Sequence, residues 1–73
     1  MLDIQIMSLG YTVSQKKKVV IGNHVITFKR RKRGEEYLYI VEEYFMGKLT
    51  RRGIFSEYSN AVMYAGNIIY ALL

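Results

Sequence analysis

Between residues 16 and 55, short apolar runs alternate with glycine-containing turns, a pattern typical of antiparallel strands. Glycine tolerates the positive φ angles that tight hairpin turns require. The pattern predicts four strands, at residues 16–21, 24–28, 37–45 and 49–55. The hairpins between them are predicted to turn at Gly22-Asn23, at Gly34 and at Met46-Gly47.

The spacing of apolar residues changes after residue 56 from alternation to steps of three and four, which indicates a helix. Tyr58, Val62, Ala65, Ile69 and Leu72 form one row on that helix. A second apolar row lies beside the first and contains Ala61, Tyr64, Ile68 and Ala71. The chain therefore predicts one C-terminal helix that is apolar over most of its circumference.

In residues 1–15 the spacing of apolar residues indicates secondary structure less clearly than in the rest of the chain. Leu2, Ile4 and Ile6 alternate with Asp3 and Gln5, which favours a half-buried strand, and a glycine then interrupts the segment. We predict an N-terminal strand or arm at residues 1–15, followed by a single β-β-β-β-α domain at residues 16–73. The fold class is α+β, with a small antiparallel sheet of three to four strands and one C-terminal helix.

The helix also predicts self-association, because a four-stranded sheet covers only one side of a helix that is apolar nearly all round. The chain is also short enough for a single core to be marginal. We therefore expect a homodimer, with the helix packed on the sheet or at the dimer interface. The residues predicted to form that interface are Val62, Ala65, Ile68, Ile69 and Leu72.

The composition excludes several classes of protein. The chain of 73 residues contains no cysteine and a single histidine, so disulfides, thiolate metal sites and redox chemistry have no residues to support them. No secretory signal is recognisable, and the most apolar stretch is shorter than a membrane span. We expect a soluble, cytoplasmic protein without cofactor, metal or small-molecule substrate.

Catalysis is not expected either. The single histidine, His24, lies next to a predicted turn, a position that indicates an ordinary residue at the end of a strand. Glu42 and Glu43 are adjacent on a predicted strand, so they point to opposite faces and cannot act as a carboxylate pair. We predict that the protein is not an enzyme.

The charges indicate an anionic partner. All eleven lysines and arginines fall between residues 16 and 52, and the formal net charge is +5. Residues 29–33 are five consecutive cations at the tip of a predicted hairpin. Cations neutralise phosphates, and aromatic rings on a sheet can stack on unpaired bases. The predicted nucleic-acid-binding residues are Lys29, Arg30, Arg31, Lys32, Arg33, Arg51, Arg52, Tyr37, Tyr39 and Phe45.

Alternation along the second strand places Arg30 and Lys32 on the same face as Ile26 and Phe28. Lys29, Arg31 and Arg33 lie on the opposite face. The basic run should therefore hold an anion from both sides of a protruding hairpin.

Residues 41–54 resemble the conserved block of the transcriptional positive cofactor four family. The matching segment runs Val-Glu-Glu-Tyr-Phe-Met-Gly-Lys-Leu and continues, after Thr50, with Arg-Arg-Gly-Ile. Members of that family have antiparallel strands followed by one helix, dimerise partly through it, and bind single-stranded DNA on the sheet. The resemblance implies a stacking role for Phe45 and backbone-binding roles for Arg51 and Arg52, in a regulator of transcription.

The chain departs from that family at Glu42, which stands where the family has a DNA-contacting arginine. The turn before Gly53 is also shorter, and the helix begins sooner after Ile54.

The sequence thus predicts a non-catalytic protein that binds nucleic acid, either single- or double-stranded DNA. The alternative is a small protein-interaction module, an inhibitor or an adaptor, whose basic patch docks on an acidic protein surface. A membrane-surface role is weaker, because the cations lie on predicted strands and not on the amphipathic helix.

Overall fold

The computed structural model describes residues 4–73, which form two helices and four strands. In chain order the elements are α1 (Ile4–Lys16), β1 (Lys18–Ile21), β2 (His24–Arg33), β3 (Glu36–Phe45), β4 (Lys48–Phe55) and α2 (Tyr58–Leu72). The predicted α+β fold, with a four-stranded antiparallel sheet followed by a C-terminal helix, is confirmed. The sheet order is β1-β2-β3-β4, so each strand pairs with its neighbour in sequence.

All three predicted hairpin turns are present. Gly22, Gly34 and Gly47 have φ angles of 59°, 63° and 84°, in the left-handed region that residues with a side chain rarely adopt. These turns set the register of the strands, which places Ile26 opposite Glu43 and Phe28 opposite Val41. A register shift between Glu43 and Tyr44 marks a bulge in the pairing of β3 with β4.

The predicted N-terminal strand or arm is wrong for the described residues, because residues 4–16 form helix α1. Leu2, part of the predicted strand, lies outside the described residues. The alternation covered too few residues to define a strand, whereas Ile6, Leu9, Gly10 and Val13 follow helical spacing. That side of α1 packs on α2 and on the sheet, and Gly10 and Val13 are buried.

The two helices lie side by side on one face of the sheet, with α1 over β1 and β2 and α2 over β3 and β4. Between helices and sheet lies one core, in which Ile26, Phe28 and Val41 of the sheet meet residues of both helices. The opposite face of the sheet carries no helix, and we call it the open face. The shortest dimension of the molecule, 18 Å, agrees with this two-layer arrangement.

The residues predicted to form the dimer interface lie in or against the core of the single chain. Val62, Ala65, Ile68 and Ile69 are 0–4% exposed within a single chain, and Leu72 packs against the same core. The prediction assumed that only the sheet covers α2, but α1 covers a second side of that helix. These residues therefore stabilise the single chain, and their predicted role in a dimer stays a prediction.

Candidate nucleic-acid interface

Strands β2 and β3 extend beyond their neighbours and form a two-stranded projection. Strand β1 pairs with β2 only as far as Thr27, and β4 pairs with β3 only as far as Tyr39. From Arg31 opposite Leu38 up to the turn at Gly34-Glu35, β2 and β3 pair only with each other. Lys29 and Arg30 lie just before this point, opposite residues of β3 that also pair with β4. We call residues 29–38 the basic ribbon, because its first strand consists entirely of lysine and arginine.

The basic ribbon displays its cations on both faces. Side chains alternate along a strand, and Phe28 points into the core, so Arg30 and Lys32 continue the face that carries the helices. Lys29, Arg31 and Arg33 continue the open face. The structure therefore brings residues 29–33 together on one projecting element.

Most of these cations have no carboxylate partner. Lys29, at the base of the ribbon, has its Nζ 3.5 Å from Oε1 of Glu42. Within residues 4–73, Arg30, Arg31, Lys32 and Arg33 form no ion pair, and all four are exposed. Exposed and unpaired cations are free to neutralise phosphates.

Tyr37 is the one predicted aromatic residue that lies on the ribbon. It is directly opposite Lys32, and the Arg30 guanidinium carbon lies 4.5 Å from the centre of its ring. This cation–π contact orders Arg30 and covers one face of the ring. Tyr37 is 39% exposed, so part of its ring remains accessible to solvent.

Tyr39 and Phe45 do not join Tyr37 in a stacking surface. The Tyr39 ring is partly buried and packs against the core, with its centre 6.2 Å from that of Phe28 and 5.4 Å from that of Tyr58. Phe45 lies at the far end of β3, where its ring centre is 4.7 Å from that of His24. The three rings belong to the face that carries the helices, and Tyr39 packs against the core between the other two. They therefore do not form one continuous stacking surface.

Arg51 and Arg52 are separated by the sheet. Arg51 lies on the face that carries the helices, and its Nε is 3.4 Å from Oε1 of Glu43. Arg52 lies on the open face, with its Nε 3.4 Å from Oε2 of Glu42. Only Arg52 shares a face with Lys29, so the two arginines cannot hold one phosphate chain together.

Glu42 connects the open face of the sheet to the ribbon. Although no helix covers it, Glu42 is only 7% exposed, because Lys29 and Arg52 flank its carboxylate. Thr27, which pairs with Glu42 across β2 and β3, has a buried hydroxyl without a hydrogen-bond partner among the described residues. The sequence identified Glu42 as a departure from the resembling family, and the structure gives it the role of holding two cations.

Lys18 adds a cation to the same surface. It lies opposite Thr27 on β1 and so on the open face, whereas Lys16 ends α1 and Lys17 lies between the two elements. Lys18 was absent from the predicted site. The signal was present in the sequence, because the Gly22-Asn23 turn fixes the register of β1 against β2.

A second cluster lies at the other end of the sheet. Nδ1 of His24 is 2.9 Å from Oε2 of Glu43, which also pairs with Arg51. Glu43 is buried, so its two partners compensate a charge removed from water. The cluster borders a cleft of about 610 Å³ beside the end of α2. Sequence reasoning had treated His24 as a residue without a particular partner.

Comparison with known protein families, with curated proteins and with solved structures gave no match. The resemblance of residues 41–54 to the positive cofactor four family therefore stays a prediction. Neither described helix is long and apolar enough to cross a membrane.

Proposed function

We propose that the protein binds double-stranded DNA without catalysis, by inserting the basic ribbon into the major groove. The observation that carries this proposal is the presence of cations on both faces of a two-stranded projection. Groove walls are lined by phosphates on two sides. A ribbon charged on one face only would reach one of them.

The size of the ribbon suits this groove. The major groove of B-DNA is about 12 Å wide and admits a two-stranded β-ribbon. Paired strands lie about 4.8 Å apart, and residues 29–33 extend over roughly 17 Å at about 3.4 Å per residue. The deep, narrow major groove of double-stranded RNA does not admit side chains in this way, which favours DNA.

The distribution of aromatic residues favours a duplex over single strands. Binding of unpaired bases relies on exposed rings, each worth about 1–3 kcal/mol. Tyr39 packs against the core, Phe45 is at the far end of its strand, and Arg30 covers one face of Tyr37. The ribbon offers mainly cations, and the phosphates of a duplex can bind them without any stacking on bases.

The open face supplies further cations at the base of the ribbon. Lys18, Lys29 and Arg52 all lie there, in front of the phosphates that flank an occupied groove. Two of the three are held by Glu42, which fixes their positions and reduces their net charge.

The test is a fluorescence-anisotropy titration of a labelled duplex and of its separate strands over a range of salt concentrations. Each neutralised phosphate contributes about −0.9 to the slope of log K against log salt, so five contacts predict a slope of about −4 to −5. We expect the duplex to bind more tightly than either strand.

The matched variants remove charge from different places. Replacing Arg31 and Arg33 together with glutamine should reduce the magnitude of the slope by about 2, one for each cation lost. Lys48→Gln removes a charge at the opposite end of the sheet and should leave the slope unchanged. Absence of binding at low salt would refute the proposal, and so would an equal effect of Lys48→Gln.

Two other results would replace the proposal with a different function. Preference for the single strands would restore the role implied by the resembling family. Failure to bind any nucleic acid, together with tight binding to one acidic protein, would assign the ribbon to protein interaction.

A further inference from the structure

The outer surface of the two helices carries no charge. Residues 4–15 of α1 and residues 58–72 of α2 contain no aspartate, glutamate, lysine or arginine. Every charged residue of the described chain falls between residues 16 and 57, in the sheet, in its turns or at the ends of the helices. In a chain with a net charge of +5, such complete segregation needs a physical reason.

Large side chains remain exposed on this uncharged layer. Tyr11 on α1 is 54% exposed and Tyr70 on α2 is 52% exposed, and Ile4 projects still further into solvent. Exposed apolar side chains that cluster on one face mark an interaction surface.

Two apolar grooves flank the first turns of α1. A groove of about 590 Å³ lies between α1 and the start of α2, where Met7 and Tyr11 meet Tyr58 and Val62. The other, of about 340 Å³, lies between α1 and the end of α2, where Leu9 meets Tyr70. Ile4 and Ser8 border both grooves, so this part of α1 is a ridge between two depressions.

We propose that this helix layer is the docking surface for a second copy of the chain. In a symmetric dimer the same patch meets itself, so a patch of one sign faces a patch of the same sign. Two open faces, each carrying Lys18, Lys29 and Arg52, would therefore repel each other. Residues 4–15 and 58–72 of the helix layer hold no charge, so two molecules of charge +5 can meet there with no like charges of the layer face to face.

The shape of the surface fits the same occupant. A ridge flanked by grooves is self-complementary, because the ridge of one copy can enter a groove of the other. The two helices have 13 and 15 residues, so at about 1.5 Å per residue the layer presents two parallel ridges roughly 20 Å long to the other copy. Stacking the helix layers also gives a small, marginal core additional burial.

This inference concerns a different surface from the predicted dimer interface. The earlier set of α2 residues is buried in the core, whereas Tyr11 and Tyr70 point away from it. It also does not depend on DNA binding, since the helix layer, residues 4–15 and 58–72, contributes no residue to the basic ribbon.

Salt gives the sharpest test. Attraction between uncharged surfaces is not weakened by salt, while repulsion between two cationic molecules is screened as the Debye length falls from about 10 Å at 0.1 M to about 3 Å at 1 M. Sedimentation of the wild-type chain should show a monomer–dimer equilibrium that shifts toward the dimer as salt is raised. DNA binding should weaken over the same range, so the two interactions are separable.

Variants locate the surface. Tyr11→Lys and Tyr70→Lys, each introducing a charge that faces a neighbouring copy, should raise the dimer dissociation constant by about tenfold or more. Val20→Lys is the matched control, because Val20 is 59% exposed on the open face. It should leave the dimer unchanged, and far-UV circular dichroism confirms that each variant is folded.

Three results would overturn the inference. The first is a wild-type chain that stays monomeric at every concentration and salt level. The second is a dimer that Val20→Lys abolishes and the two tyrosine variants do not. The third is a monomer that instead floats with neutral phosphatidylcholine vesicles, which would assign the helix layer to a lipid surface.

Discussion

Gly10 of α1 lies against Gly66 of α2, so closely that a methyl group added to Gly10 would stand 3.0 Å from the Gly66 amide nitrogen. The same methyl group would overlap the carbonyl oxygen of Val62, and one added to Gly66 would overlap the carbonyl oxygen of Ile6. The two helices therefore approach each other through their backbones. This contact sets the width of the helix layer.

Substitution of Gly10 by alanine should destabilise the fold. Alanine is favoured over glycine in a helix by about 1 kcal/mol, but the obstacle here is backbone, which cannot rotate away. We expect a net loss of about 1–3 kcal/mol in the free energy of unfolding, measured by urea denaturation. Ser8→Ala, exposed on the same helix, should change stability by less than about 0.5 kcal/mol. An equally stable Gly10→Ala would mean that the helices are further apart.

The hydroxyl of Tyr58 should contribute to the placement of α1. Oγ of Ser14 donates to the carbonyl oxygen of Tyr11 at 2.7 Å and accepts from the Tyr58 hydroxyl at 2.5 Å. Tyr58→Phe should lower the free energy of unfolding by about 1 kcal/mol, since Ser14 is buried and loses a partner. Tyr70→Phe is the control, because no hydrogen bond of the exposed Tyr70 hydroxyl is seen in residues 4–73. Similar losses in both variants would contradict the predicted hydrogen-bond contribution.

Substitution by leucine should have different effects on stability and on duplex binding at Tyr37 and at Tyr39. Tyr39→Leu removes a ring that contacts Phe28 and Tyr58 in the core, so stability should fall by about 1–3 kcal/mol. Tyr37→Leu should leave stability nearly unchanged and weaken duplex binding by about threefold or less, because only its contact with Arg30 is lost. A loss of tenfold or more in single-strand binding by Tyr37→Leu would show that the ring stacks on bases.

Glu42→Gln should change stability and DNA affinity in opposite directions. The variant leaves Lys29 and Arg52 without their buried carboxylate, and we expect a loss of about 1 kcal/mol in stability, since both cations remain largely exposed. Both cations then become available to phosphate, so duplex affinity at low salt should rise about twofold to fivefold. Glu57→Gln removes one negative charge away from this cluster and serves as the control for net charge. An equal gain in duplex affinity in both variants would show that Glu42 acts only through net charge and not through its contacts with Lys29 and Arg52.

The strands could be predicted because their signals are local. Gly22, Gly34 and Gly47 fix the turns, and the turns fix the register of every strand pair. The basic run was predicted to lie at the tip of the second hairpin, after a strand ending at residue 28, whereas β2 continues through it to Arg33. Nothing outside each hairpin was needed for these predictions.

Helix α1 and the division of the aromatic residues depend on contacts distant in sequence. In the sequence alone, Gly10 looks like a residue that interrupts a helix. The structure explains the glycine, because the Val62 carbonyl lies so close that a side chain would not fit. Similarly, β3 is apolar on both faces, so the pattern alone could not assign Tyr39 to the core face or Ile40 to the open face. That assignment follows from the side on which the helices pack, which the sequence pattern does not encode.

The concentration of five consecutive cations on the basic ribbon has a kinetic consequence. A molecule whose positive charge is concentrated at one end carries a permanent dipole, and the field of a polyanion rotates it during approach. Encounters would then begin with the basic ribbon already foremost, which increases the fraction of collisions that are productive. Charge removal at Arg31 and Arg33 should accordingly slow association, and not merely hasten release.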